Sequence, residues 1–98
     1  MTEKQKMLMG ILYNAEDQAL IEERNYAKSL TRQFNEHWED KGRRNYLIGQ
    51  IFGSLGKNVH LEAPIYLDYG YRTTIGSDFF SNFNLTILDG GGVEIWES

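Results

Sequence analysis

The 98-residue sequence contains no cysteine. That excludes a disulfide framework, a thiolate nucleophile and any cysteine-ligated metal. A chain this size buries only about 60–65% of its unfolded surface. With no covalent staple available, self-association is the expected support. Histidine is scarce as well. His37 and His60 stand 23 residues apart without metal-ligand spacing, so no metal site is expected. No apolar run approaches the ~20 residues that span a bilayer. Near the N-terminus only Met7 to Tyr13 is apolar, Glu3 interrupts the basic start, and a polar stretch follows from Asn14. The expectation is no signal peptide and a cytoplasmic protein. Positive charge is outnumbered, with 10 Lys and Arg against 14 Asp and Glu and a net charge of −4. Nucleic acid and anionic membrane are therefore not expected as the main partner. The Lys41, Arg43, Arg44 cluster is too small to change that and reads as a solvated face.

What is present divides the chain in two. Sixteen of the 24 charged residues lie in positions 1–50, and seven of the ten glycines lie from Gly53 onward. Apolar spacing is helical first and strand-like later. A first helix is expected over Thr2 to Tyr13, where Met7 and Ile11, and Leu8 and Leu12, are i,i+4 pairs. Asn14 to Asp17 reads as a turn, with Asp17 as N-cap of a longer helix. That helix carries Leu20, Ala27, Leu30 or Thr31, Phe34 and Trp38 on one face. A third helix is expected to carry Leu47, Ile48, Ile51, Phe52 and Leu55, with Gly53 or Gly56 near its end.

From Val59 the period becomes two, with Leu61, Ile65, Leu67 and Ile75 in one phase and Glu62, Asp68 and Arg72 in the other. Such a run is too long for one strand here, so it must bend. Pro64, Gly70 and Gly76 are six apart, and Ile75, Ser81 and Ile87 continue that spacing. Ile95 comes two residues late, with Gly90 to Gly92 placed to loop out the surplus. A six-residue period suggests a β-helix whose hexads form the faces of a triangular coil. A small antiparallel sheet is the alternative. The Gly90 to Gly92 run is not a phosphate loop, because neither a lysine nor a helix pattern follows.

The run Met9 to Asp17, followed by Leu20, Arg24, Leu30, Phe34 and Asn35, resembles the N-terminal cap of the maltose and galactoside O-acetyltransferases. Pro64 to Tyr71, Ile75-Gly76 and Asn82 to Asp89 resemble that family's first β-helix residues. The implied fold is α+β: a helical cap over 1–56, then the first coils of a left-handed parallel β-helix over 57–98, truncated. The implied reaction moves acetyl from acetyl-CoA to a sugar hydroxyl, in a homotrimer whose sites are built by two subunits. In the family a histidine acts as general base and a hydrogen-bond donor stabilises the oxyanion. Family members are about twice this long. Their catalytic histidine, and the coils that hold coenzyme A, lie beyond the last residue of this sequence. Trp96 stands where the family usually has glycine, just before Glu97 and Ser98.

Carried onto this sequence, the resemblance makes Asn82 the transition-state stabiliser, also placed to contact the acceptor. The alternative is an asparagine that stabilises a β-helix corner. Asp68 matches an acceptor-contacting position, against a solvated aspartate before Gly70. Phe80 matches an aromatic that packs on the acceptor, against a core aromatic. An acceptor-contacting acid of the galactoside branch is replaced here by Ala15, and a further family aspartate by Gly90, which together favour the maltose type weakly. His37 and His60 match no catalytic position. The leading reading is the N-terminal portion of an acetyl-CoA-dependent sugar O-acetyltransferase, inactive alone. The alternative is a non-catalytic interaction module whose open coil exposes Ile87, Val93 and Ile95 to another chain.

Overall fold

The computed structural model describes residues 1–96, so the reading of Glu97 and Ser98 falls outside the described residues. Helix α1 spans Glu3–Leu8 and opens with a capping box, in which Thr2 and Gln5 each bond the other's backbone N–H. It is shorter than expected. Gly10 adopts φ +74° and turns the chain away, which leaves Leu8, Met9, Ile11 and Leu12 exposed. Only Met7 of the expected apolar face is buried.

Helix α2 spans Gln18–Glu36 and begins where expected, with the Asp17 carboxylate accepting the N–H groups of Ala19 and Leu20. Its buried stripe is Leu20, Ala27, Thr31 and Phe34. His37 is its C-cap. Helix α3 spans Lys41–Ile51 behind the Asp40 cap and buries Leu47, Ile48 and Ile51. It stops short of the expected Leu55. A Cβ at Gly53 would collide with the Tyr71 carbonyl, so the chain straightens there and lies against the sheet.

Among the described residues seven short strands follow: β1 (Ser54–Leu55), β2 (His60–Leu61), β3 (Ile65–Leu67), β4 (Thr73–Ile75), β5 (Phe80–Ser81), β6 (Leu85–Ile87) and β7 (Val93–Ile95). Every pair is parallel, which excludes the small antiparallel sheet. The sheets are β1-β4-β7, β2-β5 and β3-β6, so the chain visits three sheets in rotation. Leu55 pairs with Ile75, Leu61 with Ser81, Leu67 with Ile87 and Ile75 with Ile95. Each return is therefore 20 residues on, not three hexads. The two extra residues loop out at Asp68 to Arg72 as well as at Leu88 to Gly92. Only the second surplus is visible as a glycine run.

The core joins cap to sheets. Phe34, Leu47, Ile48, Ile51 and Phe52 pack on Leu61, Ile65, Leu67, Ile75 and Ile87. Ile87, expected at an exposed end, is buried, while Val93 and Ile95 are partly buried against the same cluster. Two cap side chains bond the first-turn backbone: Asn35 exchanges two hydrogen bonds with Ile65, and the Trp38 indole N–H donates to the Leu61 carbonyl at 2.7 Å. Among the described residues no helix is long and apolar enough to cross a membrane.

Candidate functional site

The sequence candidates fall on two different corners of the winding. Phe80 and Asn82 sit at the exit of β5, at the corner leading to β6. Phe80 is 58% exposed, so it is not a core aromatic. Its ring stacks on His60, its register partner, with centroids 5.2 Å apart and planes 5° from parallel. His60 in turn bonds the Glu62 carboxylate through Nε2 at 3.0 Å. Asn82 is exposed, and its carbonyl accepts the Ser81 hydroxyl at 2.9 Å. Its side-chain amide has no protein partner among the described residues, which leaves a donor free for an incoming group.

Asp68 lies at an earlier corner, between β3 and β4. It is partly exposed, and its N–H donates to the Ile87 carbonyl at 3.2 Å. Around it the cap and two turns of the winding converge. Arg24 on α2 donates to the Tyr69 hydroxyl at 2.7 Å and to the Ala15 carbonyl at 2.8 Å. Tyr69 is buried with Met7 and Leu20. A Cβ at Gly90 would stand 2.9 Å from the Tyr13 hydroxyl, so Tyr13 fills the space that a side chain at 90 would need. Ala15, Asp68 and Gly90, distant in sequence, thus lie around one corner through Arg24, Tyr69 and Tyr13. Phe80 and Asn82 thus share one corner of the winding, and Asp68 stands at another.

The electrostatics at the Asp68 corner come from burial. Burial raises the Tyr69 pKa, with the Arg24 hydrogen bond partly opposing it. Burial raises the Tyr71 pKa more strongly, and the neighbouring Glu23 carboxylate adds to it. Glu23 is also held by Lys4 at 3.0 Å, and Lys4 lies 5.4 Å above the Tyr71 ring. Both hydroxyls are therefore neutral at pH 7 and act as hydrogen-bonding groups, not as bases.

Sequence reasoning missed Asp89. It is completely buried, its Oδ1 accepting the Tyr69 N–H at 2.8 Å and its Oδ2 accepting the Thr73 hydroxyl at 2.9 Å. An aspartate before three glycines reads as a turn residue, and no local pattern signals burial.

Comparison with known proteins gives this geometry a lineage. The model of the maltose acetyltransferase hexapeptide capping motif matches residues 6–56, just over half the chain. The maltose O-acetyltransferase from Clostridium difficile 630 superposes on 100% of this chain and 53% of its own, with TM-score 0.94 and 44% identity. A hexapeptide-repeat-containing acetyltransferase from Vibrio cholerae, solved with acetyl coenzyme A, covers 98% of this chain and 52% of its own, with TM-score 0.86 and 29% identity. The galactoside O-acetyltransferase of Escherichia coli K12 is 35% identical over 95 residues, which are 96% of this chain and 47% of that protein. The chain spans about half the length of the curated relatives it matches. A capping motif over 6–56, followed by parallel strands that superpose throughout, means that the chain belongs to the maltose and galactoside O-acetyltransferase family of hexapeptide-repeat acetyltransferases.

Proposed function

We propose that this chain forms the helical cap and the first turns of a left-handed parallel β-helix in an acetyl-CoA-dependent sugar O-acetyltransferase, acting in the cytoplasm. The reading is carried by the whole-chain superposition on the Clostridium difficile maltose O-acetyltransferase. Acetyl-CoA is the acyl donor and supplies the thioester carbonyl. No residue of this chain is assigned to hold it. Asn82 donates its free amide N–H to the oxyanion that forms when the sugar oxygen attacks that carbonyl. Asp68 accepts hydrogen bonds from acceptor hydroxyls, and the exposed face of Phe80 packs on the sugar ring.

The general base is not among these residues. His37 caps α2, and His60 is stacked under Phe80 with its Nε2 on Glu62. Asp68 and Asn82 occupy different corners of the winding. In the homotrimer that the family resemblance implies, a site using both would draw them from two copies. A second reading, a non-catalytic interaction module, draws on the exposed apolar side chains of Phe83, Leu88 and Trp96.

Thiol release from acetyl-CoA with maltose or glucose tests the first reading. The 98 residues alone should give none above background. Joined to the histidine-bearing half of a relative, they should restore turnover. In that chimera Asn82→Ala should lower kcat about 10²-fold. An active chimera indifferent to Asn82 and Asp68 would sink the site assignment, and an inactive but folded one would favour the interaction module.

A further inference from the structure

Asp89 is fully buried, yet no cation pairs with it among the described residues. A buried carboxylate is costly unless its oxygens are satisfied. Here both are satisfied by the corner that follows Asp68. Oδ1 takes the Tyr69 N–H and Oδ2 takes the Thr73 hydroxyl, so the carboxylate bridges the two ends of the 69–73 loop. Its own carbonyl accepts the Gly92 N–H at 2.9 Å, which ties the bridge to the turn below.

The effect on Asp68 is specific. The peptide before its Cα is held by the bond from its N–H to the Ile87 carbonyl. The peptide after its Cα carries the Tyr69 N–H, which Asp89 holds. Both flanking peptide planes are thus fixed from one neighbouring stretch, Ile87 to Asp89. Only the side-chain torsions of Asp68 remain free.

We propose that Asp89 is a positioning residue, whose buried carboxylate locks the backbone on the far side of Asp68 and so sets the direction in which Asp68 presents its own carboxylate. The proposal rests on the acceptor-binding reading of Asp68, and its test separates the two. Asparagine is close to isosteric. Its oxygen can accept the Tyr69 N–H while the Thr73 hydroxyl rotates to accept from the new amide. Alanine leaves both donors buried and unpaired.

The experiment uses the chimera with the histidine-bearing half of a relative, with amide exchange at Tyr69 and Thr73 and NMR titration of the Asp68 carboxyl with maltose. Asp89→Ala should speed Tyr69 exchange about tenfold or more and weaken the maltose response at Asp68 by a similar factor. Asp89→Asn should hold both within about threefold. Asp68→Asn should abolish the maltose response and leave Tyr69 exchange unchanged. Unchanged exchange and maltose response in Asp89→Ala would overturn the proposal. Equal losses across the helices in both Asp89 variants would overturn it too, because Asp89 would then act on the whole fold. An unsubstituted chimera with no maltose response refutes the acceptor reading, while Tyr69 exchange still decides whether Asp89 holds the corner.

Discussion

The side-chain amide of Asn35 meets the peptide of Ile65 as a neighbouring strand would, donating to its carbonyl at 3.0 Å and accepting its N–H at 2.8 Å. A strand edge with free N–H and C=O groups invites pairing with another chain. Here the helical cap covers that edge with the Asn35 side chain of α2 at β3 and, just past the end of α2, with the Trp38 indole at β2. Asn35→Ala leaves both Ile65 groups without their partner and should cost about 1–3 kcal/mol in urea unfolding. Asn35→Asp keeps the acceptor and loses the donor, so it should fall between wild type and alanine at neutral pH.

Gly70 combines two constraints. Its φ is +79°, and a Cβ there would run into the Ile51 carbonyl at the end of α3. Gly70→Ala should destabilise by about 2 kcal/mol or more, read as a lowered urea midpoint. Gly91→Ala is the control, since a Cβ there meets nothing and φ is not left-handed. It should be close to neutral.

The cap of α2 is a local test. Asp17→Ala removes the acceptor for Ala19 and Leu20 N–H groups and should cost about 1 kcal/mol. Asp17→Asn should recover most of the loss, because its amide oxygen also accepts.

Alkaline pH should weaken the fold through Tyr71. Burial, then Glu23, raises its folded pKa above the ordinary value of about 10. Its contribution to stability is complete below the unfolded pKa. Above that value the unfolded chain loses the proton first, so stability falls as pH rises toward the folded pKa. Thermal midpoints measured upward from about pH 10 should decline, and the decline should be shallower in Tyr71→Phe.

The long helix, its Asp17 cap and the change to strand spacing were legible because each is written in neighbouring residues. Helix ends were not. Ile11 and Leu12 continue the α1 face on paper, but the left-handed Gly10 points them outward, and Leu55 extends α3 only until Gly53 must approach Tyr71. The 20-residue return was half visible. Gly90 to Gly92 advertised one surplus, while Leu67, Tyr69, Tyr71 and Thr73 kept an unbroken alternation through the other. Site residues were legible as types and by family likeness. Their assignment to separate corners arises from the winding, and Asp89 from contacts made across a whole turn, so no local pattern carried either.

The 20-residue register has a kinetic consequence. Each parallel pair closes a loop of that length before any ladder bond compensates the lost chain entropy. The second turn gains a ready-made template, whereas the first has only the helices. Asn35 and Trp38 supply that template, so winding should start at the helical end and spread away from it. Mutations at the Asn35–Ile65 contact should then slow refolding, while those in β7 should mainly hasten unfolding. The cap would thus be the primer on which the rest of the coil is laid down.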